Sequence, residues 1–98
     1  MAALIRTTYI DTTKVQIKQF PLNSQLLGVR LDGNSVKISY IEDNSQDGVC
    51  DIEFRMYLPN DDEIDFDFKS YSFMGVLKLD ELEYHVFCKN VNQIVDLR

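Results

Sequence analysis

The sequence has no tryptophan and only one histidine, two cysteines, four glycines and two prolines among its 98 residues. The sparse glycines form no phosphate-binding loop. The lone His85 forms neither a zinc ligand set nor a triad with serine and a carboxylate. We therefore expect a protein that is not an enzyme and that needs no metal or cofactor.

Long apolar runs are also missing, since none approaches the roughly 20 residues of a membrane helix. Arg6 and Asp11 fall too early for the apolar core of a signal peptide. Cys50 and Cys88 lie in apolar, strand-like segments and are expected to be buried thiols. These features favour a reducing, cytoplasmic setting over a membrane or a secreted one.

Basic residues are in the minority, and the formal net charge is −6. Ten of the sixteen acidic residues lie between Glu42 and Asp67, where Arg55 is the single base. Because neutralising a phosphate backbone needs clustered Lys and Arg, we expect no direct nucleic-acid binding.

What the sequence does contain is alternation of apolar and polar residues with a period of two, typical of half-buried strands. Short turns such as Asp32-Gly33 separate the segments and favour antiparallel pairing. We predict one all-β domain over residues 1–98, a small, mostly antiparallel sandwich or barrel-like sheet of about seven to eight strands. The predicted strands are 2–10, 13–19, 25–31, 35–42, 49–57, 63–68, 73–79 and 82–89, and the tail after them is either a helical turn or a last strand. The predicted core comprises Val15, Ile17, Val36, Ile38, Ile52, Phe54, Phe66, Phe68, Val86 and Cys88.

The stretch NDDEIDFDFKSY, residues 60–71, is the strongest local feature. As a calcium loop it fails, because Phe66 stands where a glycine is needed and Ser72 where the last glutamate is needed. Read as a strand, it has an aromatic face and an acidic face, which is either solvated or a docking surface for a basic partner. A hairpin with the preceding strand would put Asp51, Glu53, Asp65 and Asp67 on one exposed face. The candidate partner-binding residues are Asp51, Glu53, Asp61, Asp62, Glu63, Asp65, Asp67, Tyr57 and Tyr71.

Two segments, FPLNSQLLGVRLDGNSVKISYI and YSFMGVLKLDELEYHVF, resemble a family of short uncharacterised phage and bacterial proteins. The first resembles the family's proline-led turn and Ile-Leu-x-Val hairpin, and the second its closing Tyr-x-Gly-Thr and His-Val-Phe motif. The matching positions are Pro21, Leu26, Leu27, Val29, Gly75, His85, Val86 and Phe87. The resemblance implies a phage or mobile-element origin and a compact β fold.

We therefore predict a small binding protein that inhibits a host or defence component by docking its acidic face on a basic surface. Two alternatives stay open: an oligomer that sequesters a small nucleotide or signalling molecule, and a minor structural or assembly protein. We also expect a homo-oligomer, because strands 2–10 and 82–89 would leave unguarded edges. The sequence leaves open the identity of the partner and the role of His85.

The fold class can be checked by far-UV circular dichroism. We expect a spectrum dominated by β structure, because almost every segment alternates with a period of two. A spectrum dominated by helix would refute the predicted fold.

Overall fold

Seven strands account for most of the chain in a computed structural model, which describes residues 3–43, 47–60 and 62–95. They are β1 (Ala3–Ile10), β2 (Val15–Pro21), β3 (Gln25–Asp32), β4 (Ser35–Asp43), β5 (Gly48–Tyr57), β6 (Ser72–Leu79) and β7 (Leu82–Val95). A single turn of 3-10 helix spans Phe68–Ser70. Within these described ranges, no helix is long and apolar enough to cross a membrane.

The strands form two antiparallel sheets, one of order β1-β4-β3 and one of order β2-β5-β7-β6. Two tight hairpins join β3 to β4 and β6 to β7. Gly33 has a φ of 63° in the first, and Asp80 and Glu81 have φ of 51° and 68° in the second, as hairpin turns require. The predicted all-β, mostly antiparallel fold is confirmed.

One hydrophobic core lies between the sheets and draws on both. Its most deeply buried large side chains are Phe20, Phe54 and Ile38. Six predicted core residues are buried, namely Val36, Ile38, Ile52, Phe54, Val86 and Cys88. Cys50 and Cys88 are both free, buried thiols, and burial raises the pKa of Cys88 to about 11.

Strand β2 faces the core with the side opposite to the one predicted. Val15 and Ile17 lie outside, and Ile17 is 60% exposed, because Phe20 occupies the core from the other face of the strand. A strand can bury only one of its two alternating faces, and the single phenylalanine takes precedence over the two aliphatic residues. The inward-facing Gln16 instead bonds the β1–β2 turn, accepting from the Asp11 N–H at 2.9 Å and donating to the Asp11 carbonyl at 2.5 Å.

The predicted strand 63–68 is wrong. Both edges of β5 are already paired, one with β2 and the other with β7, so the following segment has no free edge to join. Strands β5 and β6 lie parallel on either side of β7, and such a connection must travel back along the sheet. The described residues of this return, 58–60 and 62–71, form no strand, and we call them the crossover loop. Phe68, predicted to be buried, is exposed on it, and Phe66 is half-buried.

The tail continues β7 as a strand to Val95, and its last predicted positions, including Leu97, lie outside the described residues. Strand β7 lies between β5 and β6 in the sheet, and it pairs with both from His85 to Cys88. The expectation that residues 82–89 form an open edge is therefore wrong.

Comparing Phe54→Ala with Ile17→Ala tests which face of β5 and which face of β2 lie in the core. We expect Phe54→Ala to lower the free energy of unfolding by about 3–5 kcal/mol, since it opens a cavity in the core. Ile17→Ala should change it by less than about 0.5 kcal/mol, as exposed positions usually do. Urea unfolding measures both, and comparable losses would contradict the observed orientation of β2.

Candidate functional site

Arg55 lies at the centre of the outer face of the larger sheet, between Val15 on β2 and Phe87 on β7. Its Nε donates to Glu53 Oε2 at 2.6 Å, and its Nη1 donates to the Tyr57 hydroxyl oxygen at 3.1 Å. The same Nη1 lies 3.7 Å from Asp65 Oδ1 on the crossover loop. A single guanidinium therefore connects strand β5 to the loop that passes over it.

Phe66 is the apolar counterpart of this polar contact. Its ring stacks on Tyr57 with centroids 5.1 Å apart and meets Tyr71 and Phe87 edge-on at 4.7 and 5.5 Å. The Arg55 guanidinium lies over the Phe66 ring at 5.0 Å. Such stacked, edge-on and cation–π contacts favour this one geometry beyond the area that they bury. Phe66 thus fastens the middle of the loop to the sheet.

Three of the loop and strand carboxylates are committed to holding this structure. Glu53, whose side chain is 14% exposed, accepts hydrogen bonds from Arg55 and from the Tyr71 hydroxyl. Asp65 accepts from the Tyr57 hydroxyl at 2.5 Å, and Asp62 accepts from the Leu58 N–H at 2.8 Å at the start of the loop.

The hydrogen bonds also shift the acidity of the groups that share them. The Tyr71 hydroxyl, and then Arg55, hold the pKa of Glu53 below its ordinary value, and the Tyr57 hydroxyl does the same for Asp65. Burial, and then the neighbouring carboxylates, raise the pKa of both tyrosines. At neutral pH the site therefore holds ionised carboxylates, neutral tyrosines and a charged arginine.

Other side chains of the loop point to solvent. Glu63 and Asp67 are exposed, and so are Ile64 and Phe68, at 48% and 54%. Among the described residues, the carboxylates of Glu63 and Asp67 have no hydrogen-bonding or ion-pair partner. The loop thus presents two large apolar side chains, each next to or near a free carboxylate.

An open groove of about 270 Å³ runs between the start of the loop and the sheet. Tyr57, Pro59, Asp62, Ile64, His85 and Phe87 are among the residues that line it. His85 Nδ1 is buried and has no hydrogen-bonding partner among the residues that the structure describes. His85 lies on the outer face and Cys88 in the core, so the two cannot bind one metal. The parts of the chain that the structure describes contain no cluster of His, Cys, Asp and Glu that could hold a metal ion.

The predicted docking residues therefore divide into separate roles. Glu53, Asp62 and Asp65 make structural contacts, and Asp51 is half-buried beside Glu53 on the same face. The predicted exposed face of four carboxylates is wrong, because residues 63–68 form no strand beside β5 and only Asp65 and Asp67 of the four are exposed. Of the two candidate tyrosines, Tyr57 is buried because the loop covers it, and Tyr71 is half-buried. Asp61 lies outside the described residues.

Sequence reasoning missed Arg55, Phe66 and Phe87 as site residues. The one available signal was that Arg55 is the single base within an otherwise acidic stretch. A lone base among ten acids is a natural centre for ion pairs, but its partners become visible only when the sheet order is known.

No family model, curated protein or solved structure matches the chain. The resemblance to short phage and bacterial proteins accordingly stays a prediction.

The Tyr71–Glu53 hydrogen bond gives a pH-dependent test of the site. Because the pKa of Glu53 is lowered by folding, its contribution to stability is present above the ordinary glutamate range and is lost as the pH falls through the lowered value. Tyr71→Phe should lower the free energy of unfolding at pH 7 by about 1–2 kcal/mol and should reduce the further loss on acidification.

The control is Tyr84→Phe, since the Tyr84 hydroxyl has no hydrogen-bonding partner among the described residues. Urea unfolding from pH 7 to pH 3 measures both variants. Equal behaviour of the two variants would contradict the assigned role of Tyr71.

Proposed function

We propose that this chain is a non-enzymatic binding protein that docks on a basic protein partner through its crossover loop. The observation that carries the proposal is the exposure of Ile64 and Phe68 beside the free carboxylates of Glu63 and Asp67. Large apolar side chains flanked by charge are a frequent composition of protein interfaces.

The way in which the loop is held supports binding. Arg55 and Phe66 fasten the middle of the loop to the sheet, so its exposed side chains are presented from a fixed base. Docking then orders few additional residues, which lowers the entropic cost of association. Ile64 and Phe68 would supply contact area, and the carboxylates would steer a positively charged partner.

The class of partner follows from the resemblance to phage and bacterial proteins. On that basis the partner is a host or defence protein with a basic surface, which the loop would block in the cytoplasm of the host cell. The geometry supports the chemistry of such a partner, an apolar pocket bordered by Lys or Arg.

Sequestration of a nucleotide is the weaker alternative. The groove beside His85 could accept a small molecule, but its described lining contains Asp62 and no Lys or Arg. A nucleotide phosphate would need a cation or a nest of backbone N–H groups at such a site. No feature of the described residues favours the other alternative, a minor structural or assembly protein.

The test is a pull-down from host lysate with wild-type protein and with the double variant Glu63→Gln, Asp67→Asn. We expect a basic protein to be retained at low salt and released as salt rises. For the purified partner, the double variant should weaken affinity about fivefold, since it removes two exposed charges.

The matched control is Asp11→Asn with Asp80→Asn, which removes the same charge at two exposed positions outside the crossover loop. It should bind as the wild type does. Equal loss in both double variants would indicate a general charge effect, and unchanged affinity in both would refute docking through the loop.

A further inference from the structure

Strand β1 is an edge strand with no protection against pairing. It pairs with β4 on one side through eight consecutive residues, Ala3 to Ile10, without a bulge. The N–H and C=O groups on its other edge meet no strand of the described chain. Natural edge strands usually carry a bulge, a proline, a free charge or a cover, because an open edge recruits another strand.

The other three edge strands have such protection. Strand β3 has a bulge between Leu26 and Gly28, and β6 has one between Phe73 and Gly75. These two edges also pack against each other and close the sandwich on that side. Strand β2 carries Lys18 and ends at Pro21, which has no N–H to donate.

The side chains of β1 fit a partner that is itself apolar and uncharged. Ile5 is 71% exposed, and Leu4 and Tyr9 are exposed as well, although they lie on different faces of the strand. The only charged side chain within β1 is Arg6, and Glu42 of the neighbouring strand already pairs with it at 2.8 Å. A second copy of the same edge therefore brings no unpaired like charge.

We infer that β1 pairs antiparallel with β1 of a second copy of this chain, which joins the two three-stranded sheets into one sheet of six strands. Such a contact is isologous and closes as a two-fold dimer. The inference concerns an interface separate from the crossover loop and does not rest on the proposed function.

The symmetry restricts the register of this pairing. Two residues directly opposite each other in an antiparallel pair turn their backbone groups either both toward or both away from the other strand. Because this direction alternates along a strand, two identical strands can pair only positions that are an even number of residues apart. One residue must therefore lie opposite itself, on the two-fold axis. With Thr7 on the axis, Ile5 lies opposite Tyr9 of the second copy and Leu4 opposite Ile10. Aromatic and β-branched cross-strand pairs of this kind stabilise sheets.

The neighbouring registers are worse. With Arg6 on the axis, two guanidinium groups lie directly opposite each other, which is destabilising. With Thr8 on the axis, Ile5 lies opposite Asp11. Charge and apolar matching thus both select Thr7 as the central residue.

Sedimentation equilibrium of the full chain tests the dimer. We expect the wild type to have twice the mass of one chain. Ile5→Lys should weaken the affinity of the dimer at least about tenfold, because it places two new charges at the edge. Ile17→Lys, an exposed residue on the face of β2, is the control and should stay dimeric. Circular dichroism verifies that both variants are folded, as substitutions at exposed positions should be.

The register is tested by single cysteines and a short thiol crosslinker, since Cys50 and Cys88 are buried. Thr7→Cys should crosslink to itself across the axis. Ile5→Cys alone should not, whereas a mixture of Ile5→Cys and Tyr9→Cys should. A monomeric wild type would overturn the inference, and so would a dimer that survives Ile5→Lys or that fails to crosslink through Thr7→Cys.

Discussion

The contact of Arg55 with the crossover loop determines what the outer face of the larger sheet can do. The described residues of the loop, 58–60 and 62–71, form no strand and only one short 3-10 turn, so contacts between side chains must hold the loop on the sheet. Arg55 binds Glu53 on its own strand and Asp65 on the loop, while its plane covers Phe66. Arg55 therefore contacts both the carboxylates and an aromatic ring at this site.

The arrangement also explains why a strongly acidic stretch is stable where it is. Glu53 and Asp65 lie near Arg55, and Lys14 and Lys89 add positive charge nearby, over the rings of Tyr57 and Tyr71. The local field is therefore partly neutralised before any partner arrives. The groups left for recognition are a smaller set of carboxylates and two exposed apolar side chains. They do not form a continuous acidic face.

Much of the fold could be predicted from alternation and turns, since β4 and β5 bury the expected residues and Gly33 makes the expected hairpin. The failures at residues 63–68 and 82–89 share one cause, which is that alternation does not reveal pairing partners. At β2 the cause is different, because Phe20 brings the opposite face of the strand into the core. Residues 63–68 alternate as a strand does, yet β2 and β7 already occupy both edges of β5. The site depended on the same long-range pairing, so the sequence shows Arg55 as a lone base in an acidic stretch but does not show its partners on the loop.

The most direct test of this account is amide hydrogen exchange of Arg55→Leu against the wild type. Leu58, Ser70 and Tyr71 donate their N–H groups within the loop or its ends, to Asp62, Asp67 and Phe68. If Arg55 holds the loop on the sheet, exchange at these three amides should speed up markedly, while the amides of β5 that pair with β7 stay protected. Unchanged exchange in the loop, or equal loss of protection throughout the sheet, would contradict the account.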